Sequence, residues 1–102
     1  MALFQAQLGT SATTVFDPAA DSAVTTLFLC NTHSSAITVT LYLINGGGTP
    51  DDTNAIWKDI SIASKDTFVM NNERIILAAA DFIKGIASTA SKVTVTGTYT
   101  TI

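Results

Sequence analysis

The sequence is short of charge. Only 13% of its 102 residues are Asp, Glu, Lys or Arg, about half the usual share of a soluble domain. The five basic residues (Lys58, Lys65, Arg74, Lys84 and Lys92) are scattered, and the net charge is -3. A surface that tracks phosphates needs a basic patch, so no direct nucleic-acid partner is expected. Attraction to an anionic membrane surface fails for the same reason.

Reactive and metal-ligating residues are also scarce. The one cysteine, Cys30, can form no disulfide within the chain, which suits assembly in a reducing cytoplasm. It follows the apolar run Leu27-Phe28-Leu29, where the expected state is a buried, inert thiol. A nucleophile or an intermolecular disulfide is the alternative, but no charged neighbour in sequence lowers the thiol pKa. His33 is the only histidine, and one His with one Cys is too few ligands for zinc. Along a strand Cys30 and His33 project to opposite faces, which separates a dyad. The carboxylates Asp17, Asp21, Asp51, Asp52, Asp59, Asp66, Glu73 and Asp81 fall mostly in turns, with no acid–base motif among them. The reading is therefore no enzyme, no cofactor and no metal. Apolar runs are far shorter than a membrane span. MALFQAQLG lacks the positive and apolar regions of a signal peptide, and the chain reads as a complete small gene product.

What is present is β-structure. Hydrophobic residues reach 47%, and helical periodicity is missing throughout. That apolar share is either an ordinary core under a Thr/Ser surface, or partly a surface buried against other subunits. In Ser22 to Ile44, Ile37, Val39, Leu41 and Leu43 alternate with Thr38, Thr40 and Tyr42, the pattern of a strand with one buried face. The Val/Thr/Leu-rich run before it suits a pleated surface, and the polar link between them suits a reversal. The pair predicts a long β-hairpin as the spine of the fold.

Around this spine, residues 1–12 are a first strand or an arm lying on a neighbouring subunit. Thr13 to Phe16 is a short strand closed by Asp17-Pro18. Asn45-Gly46-Gly47-Gly48-Thr49-Pro50 is an exposed loop. It lacks the glycine spacing and lysine of a phosphate loop, and Asp51, Asp52 and Asn54 lack the alternation of a calcium loop. In Ile56 to Ile62, Ile56, Ile60 and Ile62 share a face, and Lys58 among them marks a strand end or an edge, where its stem reaches water. Trp57 falls on the opposite face with Asp59 and Ser61. It is either an exposed interface anchor or a packing residue under the glycine loop. Strands follow at Lys65 to Met70, Glu73 to Leu77 after an Asn71-Asn72 link, and Phe82 to Ser88 with Gly85 as a bulge or close-packing point. Ala78 to Asp81 is a loop. Val93, Val95 and Tyr99 then face one way and Thr94, Thr96, Thr98 and Thr100 the other. The sum predicts an all-β domain over 1–102, a single β-sandwich of seven to eight antiparallel strands with jelly-roll connections.

Several stretches together resemble a group of small virion proteins of tailed bacteriophages. These are TTVFDP, the strand closing on Cys30-Asn31-Thr32, the TVTLYL strand with its glycine loop, NAIWKDISIASKDTFVM and IILAAADFIKGIAS. Ala80 stands where members commonly have glycine. The resemblance implies a virion structural protein assembled in the host cytoplasm, a homo-oligomer contacting the major capsid protein or tail proteins. A head decoration (cement) subunit is the first expectation, and a tail, baseplate or fibre component the second. Contact candidates are Leu3, Phe4, Gly46, Gly47, Gly48 and Trp57. A carbohydrate-binding module, with Trp57 and Tyr42 stacking on sugars, is a further alternative.

Overall fold

Nine strands make up the computed structural model, which describes residues 2–70 and 75–102. They are β1 (Ala2–Gln7), β2 (Thr13–Phe16), β3 (Ser22–Asn31), β4 (Ile37–Ile44), β5 (Ala55–Ile62), β6 (Thr67–Met70), β7 (Ile75–Leu77), β8 (Phe82–Ala87) and β9 (Val93–Thr101). Among the described residues there is no helix. The predicted Asn71-Asn72 link, and Glu73 and Arg74 beyond it, lie outside the described residues.

All pairings are antiparallel, in two sheets. The first runs β1-β9-β3, with β6 and β7 side by side along the far edge of β3. The second runs β2-β8-β4-β5. The partners are nested: β1 with β9, β2 with β8, β3 with β6 and β7, β4 with β5. Leu27, Leu29 and Val95 of the first sheet and Val39, Leu41 and Ile83 of the second are fully buried in one shared core. The arrangement is sandwich-like. Each such side chain contributes roughly 1.5–3 kcal/mol by leaving water.

The count of nine exceeds the seven to eight expected, chiefly because residues 2–7 form a full strand rather than an arm. The predicted hairpin is not formed. β3 and β4 do not pair; they lie in opposite sheets, and an exposed link passes from one sheet to the other. An alternating strand buries one face equally well beside its neighbour or across from it, so periodicity alone could not choose.

Asn31 fixes the crossing. It ends β3 with no exposed surface, and its Nδ2 donates to the carbonyls of Ser35 (3.0 Å), Ile62 (2.9 Å) and Ala63 (3.2 Å). Its Oδ1 accepts from the His33 amide at 2.8 Å. One carboxamide thus ties the β3–β4 link to the end of β5 in the other sheet. Such satisfaction is what makes a buried polar side chain tolerable.

The phase of β5 also departs from expectation. Ile60 faces Val39 and Trp57 faces Leu41, so Lys58 and Asp59 together oppose Thr40. That bulge, with Asp59 at φ 51°, shifts the alternation by one residue. Trp57 therefore shares the inner face with Ile60 and Ile62, while Ile56 is 37% exposed. Thr40 secures the bulge, its Oγ1 accepting from the Asp59 amide at 2.9 Å.

Gly85 is a close-packing point within an unbroken β8: an added Cβ would lie 2.9 Å from both Leu8 and Leu41.

Replacing Asn31 with alanine strips the partner from one buried carbonyl, two half-buried carbonyls and a half-buried amide. It is expected to cost about 2–3 kcal/mol, seen in urea denaturation as a lower midpoint with an unchanged slope.

Candidate functional site

The six sequence-derived contact candidates do not form one site. Leu3 is 66% exposed on the outer face of the first sheet. Phe4 points the other way, stacked on Phe16 at 4.3 Å between centroids and near Tyr99 at 6.1 Å. It lies over its cross-strand partner Gly97, where a Cβ would come within 2.1 Å of the ring. Phe4 is a packing residue, and Gly97 makes room for it.

Gly46, Gly47 and Gly48 lie in an exposed but anchored turn. The Gly48 amide donates to the Asn45 carbonyl at 2.9 Å, and Gly47 has φ 80°, the third-position geometry of a type II turn. The Gly46 amide donates to Asp81 Oδ1 at 3.1 Å, and Asp81 Oδ2 accepts from the Ala78 amide at 3.0 Å. Asp81 therefore joins the glycine loop to the β7–β8 turn. Ala80 in that turn has no left-handed backbone: among the described residues the non-glycine ones at positive φ are Asp59, Lys65 and Ser91.

Trp57 meets Phe68 edge to face, with centroids 5.0 Å apart, across the gap between β5 and β6. It closes one side of the core. Tyr42, only 6% exposed, lies on the opposite face of the second sheet. The two aromatics consequently share no stacking platform. Cys30 differs from its expected burial as well. It is half-buried, pairs with Thr67 and Thr94, and sits on the outer face with Phe28 because Leu29 and Asn31 take the inner one.

A different surface emerges once strands are assigned to sheets. β1, β3, β6, β7 and β9 contain no Asp, Glu, Lys, Arg or His. Among the described residues, every strand of the first sheet is therefore free of acidic, basic and histidine side chains. Its outer face carries Thr94, Thr96 and Thr98 on β9. Around them stand Leu3, Phe28 (38% exposed), Val69 (44%) and Ile76 (70%). Phe28 and Val69 are direct cross-strand partners, and Phe28 also faces Thr96. Among the described residues the strand charges fall on the second sheet, as Lys58, Asp59 and Lys84. The only sequence signal for this surface was the low overall charge. Locating it required knowing which strands share a sheet, and the expected hairpin put β3 and β4 together.

Elsewhere the polar groups mostly serve local structure. Asp51 accepts from the side chain and amide of Thr53, and these bonds hold its carboxyl below the usual value. Its contribution to folding is present above the ordinary carboxylate pKa and lost as pH falls through the lowered one. Lys58 bonds Asp52 at 2.9 Å, which raises its pKa. Both side chains are largely in water, so the pair is screened. A shallow cavity of about 270 Å³ is lined by Thr38, Thr40, Asp59 and Ser88. There the Ser88 hydroxyl accepts from the Thr38 amide, while Asp59 accepts from Thr40. No cluster of three or more His, Cys, Asp or Glu stands among the described residues. Comparison with family models, with curated proteins and with solved structures found no match.

The packing role of Trp57 and the free state of the outer face can be separated by stability. Trp57→Ala is expected to cost about 2–4 kcal/mol. Ile76→Lys should stay within about 0.5 kcal/mol of the parent, both read from denaturant midpoints.

Proposed function

We propose that the chain is a structural protein of a tailed-bacteriophage virion, a head decoration subunit that docks through the outer face of its first sheet. The observation that carries this is the charge-free sheet. Interface cores are depleted in charge and enriched in large apolar side chains, and this face keeps Leu3, Phe28, Val69 and Ile76 in water. A freestanding domain gains nothing from that arrangement.

The nested strand order supports a jelly roll, a double-sheet fold found among viral capsid and lectin domains. On this reading β6 and β7 together fill one of the eight strand positions. The sequence resemblance to small virion proteins points the same way. Neither a catalytic step nor a cofactor enters the proposal, and its partners are other virion proteins.

A tail, baseplate or fibre location is the second reading within the same class. Quantitative mass spectrometry of purified particles distinguishes the two. Hundreds of copies per particle are expected for decoration, whereas a handful to tens would move the chain to the tail. Its absence from the particle would overturn both. The double variant Phe28→Lys, Val69→Lys should weaken attachment to particles by at least about tenfold, because it buries two uncompensated charges. Undiminished attachment would remove the first sheet from the contact.

A further inference from the structure

We propose that β1 is the seam of a two-fold dimer, pairing antiparallel with β1 of a second copy so that the first sheet runs continuously through both. The pairing is a matter of edges. A sheet edge exposes a row of unpaired backbone groups, and folded proteins protect it with short strands, bulges, charge or proline. Three of the four edges here are protected. β2 has four residues and a bulge, β5 carries two register shifts with Lys58 and Asp59, and the far edge of β3 is covered by two pieces of four and three residues. β1 has none of these features. It has six residues, ALFQAQ, with no charge, no proline and no interruption in its register with β9.

The direction of its free groups follows from one bond. The Leu8 amide donates to the Val93 carbonyl at 2.9 Å, continuing the β1–β9 register by one step. Backbone groups alternate sides along a strand, so even-numbered residues of β1 serve β9. The amides and carbonyls of Leu3, Gln5 and Gln7 then point off the edge.

Those three positions are self-complementary. A two-fold axis at Gln5 sets Gln5 against Gln5 of the second copy and Leu3 against its Gln7, each a hydrogen-bonded pair. Leu3, Gln5 and Gln7 also share the outer face, where the glutamine side chains can bond across the seam. The dimer joins two charge-free faces into one, with no like charges opposed. That closed, isologous contact is the commonest symmetry of homo-oligomers.

Sedimentation equilibrium of the full chain should give twice the chain mass. Gln5→Pro deletes one outward amide on an edge position where proline is tolerated, and should raise the dissociation constant at least about tenfold. Cross-linking tests the register independently of that variant's folding. In a Cys30→Ser background, Gln5→Cys places two thiols on Cα atoms about 5.5 Å apart, inside the disulfide range. Gln7→Cys leaves them about 14 Å apart, four residues offset along the seam. Mild oxidation should give a covalent dimer from the first and none from the second. A wild-type chain that stays at single mass across the concentration range, a Gln5→Pro variant that dimerises undiminished, or equal cross-linking at both positions would overturn the proposal. None of these outcomes bears on whether the chain is in the virion.

Discussion

The fold depends on how the chain leaves β3. After ten residues in one sheet it must enter the other, and at that crossing the buried Ile62 carbonyl and the half-buried Ser35 and Ala63 carbonyls and His33 amide all need partners. Asn31 supplies them from a single carboxamide, bonding forward into its own link and across to the end of β5. A hydrophobic residue there would pack, but it would leave those carbonyls unpaired. The sheets could still stack through their apolar faces, since stacking is not directional. Their relative position would lose its main polar constraint.

With the sheets so placed, the two outer surfaces are chemically unlike. The second sheet bears lysines, an aspartate at a bulge, and the loop pinned by Asp81. The first bears threonines and unspent apolar side chains. A domain whose only task was to remain dissolved would distribute its charge over both. Segregation of this kind leaves one side suited to water and the other suited to protein. The virion proposal rests on that asymmetry together with the nested strand order.

Much of this was legible in the sequence, and the limits have physical causes. The alternation in β4 and β9 and the Asp17-Pro18 and glycine-loop punctuation read directly into structure, since each depends on neighbours a few residues away. The partner of β3 did not. Its Leu27, Leu29 and Asn31 bury the same face whether β4 lies beside them or opposite. Trp57 lies on the face opposite to the one expected because a single bulged residue, Asp59, inverts Ile56 and Trp57 before it, and aspartate is among the residues that tolerate such a backbone. Cys30 was misplaced by its apolar neighbours, which occupy both faces of β3. The triplet Cys30-Asn31-Thr32 is part of the sequence resemblance, yet its working member is the asparagine and not the thiol. The charge-free face was present in the composition only as an average.

The nested pairing has a consequence for how the protein is made. Within the described residues β1 pairs with β9, Ala2 set against Tyr99, so β1 is synthesised well before its partner strand and must wait for it. Until then an uncharged, glutamine-bearing segment remains open to any strand nearby. Where many copies are synthesised at once, a strand of another nascent chain is close at hand. Long-range pairing of this kind folds slowly, and transiently exposed edges are where such chains go astray. The rate of translation, and the spacing of ribosomes along the message, therefore bear on the yield of folded subunit as directly as its core does.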